Sequence, residues 1–332
     1  MAREFININK KKAQFFISIN KRGAHTFIML GVYDQHKVTH VLGRVGKVAI
    51  PDGYHDSAFC DGLLFILQAL FTNTKARLED EGIERRSRRL SAINYQAYDI
   101  TYRQYIEFIH VLEALQTPEN KFFCYIPDYE CGDEVTLSYR NVDESLHQPQ
   151  MDKIKKSAGG LNIGNTCRHT AIDIVEEVQR APVSSSVSNI FFRNLPYETN
   201  LEYGKPSADI PFYVLPITPA AYPNLAESQK WVVEKLYRRM EQMLLLEPHA
   251  QQTQDKFAQL KALYKQIIGP QQQLSLRELL ASIQQWKQDN QTSLAALRKT
   301  YPWDFFCTRQ SATMKTVQQI EEYLQHEPEL TY

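Results

Sequence analysis

The sequence predicts an α+β fold, in which a β-rich first half leads to a helix that starts at Cys167 and helices end the chain. Three observations support this class: short strand-like runs before residue 50, a helical stripe of small and apolar side chains after Cys167, and amphipathic patterns beyond residue 224. With 332 residues the chain is long enough for two domains. We expect a first domain over residues 1–195, a proline-rich connector over 196–223 and a helical domain over 224–332.

Composition argues against several functional classes. The chain has 38 basic and 38 acidic residues, so its net charge favours neither nucleic acid nor a membrane surface as the main partner. None of the five cysteines forms a C-x-x-C pair, which indicates reduced thiols in a cytosol-like compartment. The sequence has no nucleotide-binding glycine motif and no H-E-x-x-H metal motif, so we expect neither a cofactor nor a metal. No stretch is long enough for a membrane span or a signal peptide.

Three strand-like runs open the first domain, at residues 13–19, 25–30 and 37–42. A hairpin that turns symmetrically about Val32 and Tyr33 would place His25 directly opposite His40 on the neighbouring strand. The sequence therefore predicts two histidines that face each other across a strand pair.

The remaining elements follow from local patterns. We expect a helix at 59–71, a strand at 95–100, a helix capped by Thr101, strands at 122–126 and 135–139, and a loop at 143–162. Six of the fifteen prolines fall between residues 195 and 223, which predicts an extended connector. Beyond it, amphipathic faces and a capping box that begins at Ser275 predict helices.

The helix that starts at Cys167 is the strongest functional signal. Asn165 or Thr166 can serve as its N-cap, and apolar residues at helical spacing would hold it against a core. The partial positive charge of a helix N-terminus favours thiolate over thiol, so Cys167 is a candidate nucleophile. The alternative interpretation is that Cys167 is a small buried core residue.

A thiolate nucleophile needs an imidazole within hydrogen-bond reach and a third group that orients it. His169 points away from Cys167 because residues two apart on a helix lie on different faces, so we expect it to be structural. His25 is the best candidate base and His40 the candidate orienting group. Each of them could instead be a half-buried structural histidine.

The order of these pieces resembles that of the circularly permuted papain-like cysteine hydrolases, the clan of lecithin:retinol acyltransferase and the PPPDE-type peptidases. In that clan a strand histidine comes first, then a polar residue on the next strand, a tyrosine-bearing segment, and a nucleophilic cysteine at a helix start. This chain matches them with His25–Gly31, Val38–Leu42, Tyr98–Tyr105 and Asn165–His169. The resemblance covers roughly residues 13–180.

The resemblance implies a permuted papain-like antiparallel sheet with a nucleophile-bearing helix, followed by an all-α C-terminal domain. It implies hydrolysis or acyl transfer through a thioester, with Cys167 as nucleophile, His25 as base and His40 holding the imidazole. The backbone N–H of Cys167 would stabilise the oxyanion, supported by Asn165 and Thr166. We expect a protein amide or isopeptide bond as substrate, and a lipid ester as the second choice.

Two other classes remain open at this point. An inactive papain-like scaffold would bind a cellular protein through its helical domain, and a membrane-surface module would use the basic N-terminal region. A catalytic module with a helical appendage is also similar to effectors that intracellular bacteria deliver into host cells, which would place the protein in a host cytosol. The sequence indicates neither the substrate's identity nor the oligomeric state.

Overall fold

The computed structural model describes residues 4–50, 73–83, 90–143, 151–269, 274–298 and 309–326. The chain divides into two compact units, Met1–Val214 and Leu215–Tyr332. It is a mixed α+β protein with antiparallel sheets, which confirms the predicted class at that level. The helix predicted at 59–71 lies outside the described residues.

The elements of the first unit are listed here in chain order. The strands are β1 (Phe5–Asn9), β2 (Gln14–Arg22), β3 (His25–Asp34), β4 (Lys37–Ala49), β5 (Thr74–Asp80), β6 (Ser91–Ile100), β7 (Phe123–Cys131), β8 (Glu134–Asn141), β9 (Gly160–Leu161), β10 (Tyr197–Glu202) and β11 (Lys205–Pro206). The helices are α1 (Tyr102–Leu115), α2 (Asp152–Gly159) and α3 (Cys167–Gln179). Thr101 caps α1 as predicted, whereas α2 and β9 occupy the expected loop at 143–162.

The strands form two antiparallel sheets. The larger has the order β11-β10-β6-β2-β3-β4-β5-β9, and the smaller has the order β1-β8-β7. The central strands β2 and β3 are buried along nearly their whole length, which explains why they read as continuous apolar runs. Helix α3 packs against β2, β3 and β4 with Ile174, Val175 and Val178 buried. Its first residue therefore lies against the sheet.

The predicted register between β3 and β4 is wrong. The two strands turn at Gln35 and His36, because β3 continues through the buried Tyr33 to Asp34, which pairs with Lys37. Gln35 takes the left-handed backbone conformation that such a tight turn requires (φ 52°). As a result His40 pairs with Val32, and His25 lies far from it along the strand.

The first unit extends further along the chain than the predicted boundary at residue 195. Residues of the expected connector form β10, which pairs with β6, and β11, which pairs with β10. Phe212 is fully buried and stacks on Tyr95 with ring centroids 4.4 Å apart. The prolines do not keep this segment out of the sheet, and its apolar side chains anchor it in the core of the first unit.

The described part of the second unit contains a 3₁₀ turn and helices. They are the turn Pro219–Ala221, α4 (Glu227–Leu244), α5 (Gln251–Ile267), α6 (Leu276–Asp289), α7 (Gln291–Ala295) and α8 (Ala312–His326). The apolar faces predicted for α4 and α5 are buried, and Ser275 and Glu278 form the predicted capping box. Among the described helices, none is long and apolar enough to cross a membrane.

Candidate active site

Cys167 is the first residue of α3 and is only 6% exposed. Thr166 is the N-cap, and the side chain of His169 reaches back so that its Nδ1 accepts the Thr166 backbone N–H at 3.2 Å. His169 is thus part of the cap, in agreement with the structural role expected for it. The cap fixes the direction in which the helix presents the thiol.

Asn165 does not cap the helix but holds the turn that precedes it. Its Nδ2 donates to the carbonyl oxygens of Ser157, at 2.9 Å, and Gly160, at 2.8 Å. The buried ammonium of Lys47, on β4, donates to the same Ser157 carbonyl at 2.7 Å and to the Asn165 carbonyl at 2.9 Å. These bonds tie the turn to the sheet, so the position of Cys167 is set by β4 as well as by its own helix.

His25, the first residue of β3, meets Cys167 from the sheet side. The imidazole lies close enough to the thiol for each side chain to shift the pKa of the other. The backbone N–H of the next residue, Thr26, donates to Cys167 Sγ at 3.3 Å. The structure therefore brings the two predicted residues, Cys167 and His25, to the same place in the fold.

The third group at this position is Glu81, which follows β5. Its Oε1 accepts a short contact from His25 Nε2. The Nε2 atom of the imidazole therefore meets Glu81. A thiol, an imidazole and a carboxylate are thus brought together, the set of groups that thiol catalysis uses.

Glu81 is itself held from two sides. Its Oε2 lies 3.0 Å from Nη2 of Arg44, a fully buried residue on β4. Its backbone N–H donates to the Arg44 carbonyl at 3.0 Å. The Arg44 guanidinium also lies over the ring of Phe27, 4.3 Å from its centroid, and that ring stacks on His25. Arg44 therefore supports both the carboxylate and, through Phe27, the imidazole.

Gly46 makes the approach of His25 and Glu81 possible. A Cβ atom at this position would overlap Glu81 Oε1 and lie 2.8 Å from His25 Nε2. Any larger residue would therefore have to displace one partner of the pair. The requirement for glycine here comes from space, since the residue lies within a regular strand.

The charges of the site stabilise one another. Burial disfavours the imidazolium, yet hydrogen bonds and negative charge from Cys167 and Glu81 raise the pKa of His25 to about 9. Burial alone would raise the pKa of Cys167, but the hydrogen bond and charge of His25 and the Thr26 N–H lower it below its ordinary value. Burial likewise opposes ionisation of Glu81, and His25 and Arg44 lower its pKa. The arrangement favours a thiolate–imidazolium pair.

His40 is not brought to this cluster. Its side chain is exposed, its Nδ1 lies 3.2 Å from Thr39 Oγ1, and its strand partner is Val32. The structure places Glu81 beside His25 instead. Sequence reasoning missed Glu81 and Arg44, although Arg44, flanked by Gly43 and Val45 in the strand, was a signal, since a buried charge requires a partner.

Apolar side chains surround the cysteine. Phe191 is buried against Cys167, and its neighbours Ile190 and Phe192 are 56% and 63% exposed. Arg168 Nη1 donates to the carbonyl of Ile190 at 3.3 Å, which fixes this segment beside the helix start. Ile163, in the turn before the helix, is 61% exposed. Exposed apolar side chains thus flank the residues that contact the cysteine, and the charge of Lys21 also acts on the thiol.

In the part of the chain that the structure describes, no three or more histidine, cysteine or acidic side chains come together as a metal site would require. Comparisons with protein-family models, with curated proteins and with solved structures find no match for this chain. The chemistry of the site must therefore be inferred from its own geometry.

Proposed function

We propose that the protein is a cysteine-dependent hydrolase or acyltransferase that acts through a thioester on Cys167. The observation that carries the proposal is the ion pair of His25 with Glu81 beside Cys167, whose sulfur accepts the N–H of the next residue, Thr26. Three groups of this kind converge from a helix start, a strand start and a strand end. A cysteine with only a structural role needs neither an imidazole nor a carboxylate beside it.

The proposed reaction has two steps. The Cys167 thiolate attacks the substrate carbonyl carbon, and the negative charge moves to the carbonyl oxygen. The Cys167 backbone N–H can donate to that oxygen, because it lies in the first helical turn, where N–H groups have no intrahelical acceptor. His25 then gives its proton to the leaving nitrogen or oxygen, and the thioester forms.

In the second step water, or the hydroxyl or amine of an acyl acceptor, attacks the thioester. His25 takes the proton of the attacking group and the thiolate leaves. Glu81 keeps the imidazole oriented and stabilises its positive charge in both steps. We assign Glu81 the orienting role that the sequence suggested for His40.

The fold that we propose is the permuted papain-like one, with an all-α domain after it. The order of His25, Glu81 and Cys167 along the chain supports this, because the base precedes the nucleophile as in that clan. A protein amide or isopeptide bond is the first proposed substrate. A lipid or other long-chain ester is the second candidate, and the exposed Ile190 and Phe192 beside the thiol favour it.

The test is site-by-site labelling of the full chain with iodoacetamide between pH 5 and pH 9, read by mass spectrometry. We expect Cys167 to label fast below pH 7, and the exposed Cys131 serves as the internal reference. The variants His25→Ala and Glu81→Gln should lose this fast phase. If Cys167 labels no faster than Cys131 at pH 6, the pair does not exist and the inactive scaffold is the correct interpretation.

A second measurement separates the substrates. Lysine-isopeptide-linked peptides and p-nitrophenyl esters of two to sixteen carbons are offered to the wild type and to Cys167→Ala. Cleavage by the wild type alone supports the thioester mechanism. A rate that rises with acyl length, and falls in Phe192→Ser, would favour the ester over the amide.

A further inference from the structure

Two buried cations beside the cysteine have no part in the proposed mechanism. Lys21 is 8% exposed and Arg168 is fully buried. Lys21, on β2, pairs with Thr26 of β3, whose backbone N–H donates to Cys167 Sγ at 3.3 Å. Arg168 directly follows the cysteine in α3. One cation is therefore placed near the thiol by the sheet, and the other by the helix.

The hydrogen bonds of these cations go to uncharged oxygens. Lys21 Nζ donates to Asn194 Oδ1 at 2.9 Å. Arg168 Nη1 donates to the carbonyls of Ser188, at 3.0 Å, and Ile190, at 3.3 Å. Its Nε and Nη2 have no hydrogen-bond partner among the described residues. The bonds that are made orient the two cations without neutralising their charge.

The thiolate of Cys167 is the anion that acts on both cations. Burial lowers the pKa of Lys21 and of Arg168, repulsion by Arg168 lowers that of Lys21 further, and the negative charge of Cys167 raises both. In the described part of the chain, no carboxylate forms a salt bridge with either cation. The carboxylate of Glu81 is held by its own two partners.

Formation of the thioester removes this anion. In the proposed reaction the Cys167 sulfur bonds to the acyl carbon and loses its charge, while His25 gives its proton to the leaving group and becomes neutral. Lys21 and Arg168 stay positive, so they lose the anion that stabilised them. A negative charge supplied by the substrate would replace it. Because this interaction strengthens as the thiolate is consumed, it would stabilise the transition state more than the bound substrate.

We propose that the site selects substrates whose acyl part carries a carboxylate close to the scissile carbonyl, and that Lys21 binds this carboxylate in place of the Asn194 side chain. The inference rests on the proposed function and names its substrate class. Asn194 is exposed, so an incoming group can reach the ammonium there. A carboxylate oxygen accepts as the amide oxygen does, and it adds the charge that the amide lacks. Arg168 is fully buried, so it acts through its charge.

The test compares two alkylating reagents of nearly equal size at Cys167 of the full chain. Iodoacetate carries a carboxylate on the reacting carbon, and iodoacetamide carries a neutral amide there. Both react with the thiolate, so the ratio of their rates does not depend on the thiolate fraction or on the pKa of the cysteine. The exposed Cys131 gives the reference ratio. We expect the ratio at Cys167 to exceed it at least about threefold.

Asn194→Asp is the decisive variant, because it places a fixed carboxylate where that of the substrate would bind. We expect the ratio at Cys167 to fall at least about threefold, the order expected of one partly screened ion pair. Asn194→Ala removes only the acceptor and should keep the ratio. Asn7→Asp makes the same charge change at an exposed residue of β1 and is the matched control. Lys21→Gln should lower the ratio as well, and Lys21→Arg should keep it. His25 attracts iodoacetate in every variant alike.

An equal ratio in the wild type, Asn194→Asp and Lys21→Gln would overturn this inference and leave the thioester mechanism standing. A ratio that falls equally in Asn194→Ala and Asn194→Asp would show that Lys21 only anchors the segment, which also contradicts the inference. A wild-type Cys167 that reacts slowly with both reagents would instead overturn the proposed function, and this inference with it.

Discussion

The buried guanidinium of Arg44 holds Glu81 through the carboxylate oxygen that does not contact His25, with Nη2 3.0 Å from Oε2. The Glu81 carboxylate thus pairs with two cations, of which Arg44 is always charged and His25 is charged only when protonated. Because Arg44 stays charged at all ordinary pH values, it keeps Glu81 ionised whether or not His25 is protonated. The orientation of the imidazole therefore depends on a residue that does not touch it.

Replacing Arg44 by methionine should be costly. Breaking a buried ion pair by removing one partner leaves an uncompensated charge, so we expect a loss of about 3 kcal/mol in the free energy of unfolding. The fast labelling of Cys167 should slow as well. Arg77→Met removes the partly exposed pair with Glu79 and should cost under about 1 kcal/mol. Denaturant unfolding of both variants measures the contrast, and equal losses would contradict the role given to Arg44.

Gly46→Ala should separate His25 from Glu81 while leaving the strand intact. The added Cβ overlaps the Glu81 carboxylate, so the imidazole loses its anionic partner. Without that partner the imidazolium is less stable, so the pKa of Cys167 should rise and the thiolate fraction below pH 7 should fall. The pH profile of iodoacetamide labelling reads this directly. Gly159→Ala is the control, because a Cβ there meets nothing within 4 Å. Unchanged labelling in Gly46→Ala would count against the role of the pair.

The pH dependence of stability should reveal the same pair. The pKa of His25 is raised from 6.5 to about 9, so its contribution is complete below pH 6.5 and is lost as pH rises through about 9. The pKa of Glu81 is lowered from 4.5, so its contribution is complete above pH 4.5 and is lost as pH falls further. The stability difference between the wild type and Glu81→Gln should therefore be largest between pH 4.5 and 6.5 and shrink on either side. Thermal unfolding measured below, within and above that range would show it, and a difference independent of pH would exclude the ion pair as its source.

Lys47→Met should destabilise the turn before Cys167. The ammonium satisfies the buried carbonyls of Ser157 and Asn165, and without it we expect a loss of about 2 kcal/mol. Lys37→Met, at the exposed start of the same strand, should change stability by less than about 0.5 kcal/mol. Chemical denaturation compares the two. A Lys47 variant as stable as the wild type would mean that the turn is held by Asn165 alone.

His40→Ala tests the choice between the two candidate orienting groups. Because His40 is exposed and pairs with Val32, its loss should leave the labelling rate of Cys167 unchanged. His25→Ala, measured beside it, should abolish the fast phase. A slower rate in His40→Ala would restore the role that the sequence suggested for that residue.

The parts of the site that sequence analysis predicted are those that local patterns encode. Cys167 stands at a helix start that its own neighbours specify, and His25 begins a strand whose apolar run is continuous. The placement of His40 depended on where one hairpin turns, and the buried Tyr33 moved that turn by extending the strand. Because the turn was predicted a few residues too early, every predicted residue pair between the two strands was shifted.

Glu81 could not be found in the same way. It reaches His25 because β5 pairs with β4, and the two strands are separated in sequence by a long segment that carries no pairing signal. The roles of Arg44 and Gly46 depend on that pairing, so they became visible only with the sheet. The extension of the first unit to Val214 has a similar cause, since β10 pairs with β6, a strand that lies much earlier in the sequence.

The bond between the Thr26 N–H and the Cys167 sulfur joins residues that lie 141 positions apart. During synthesis His25 and Thr26 leave the ribosome long before the cysteine does. The thiol therefore gains these contacts only when β3 and α3 pack together, and before that it is an ordinary cysteine. On the proposed function, a fast-labelling Cys167 would report that this packing has taken place.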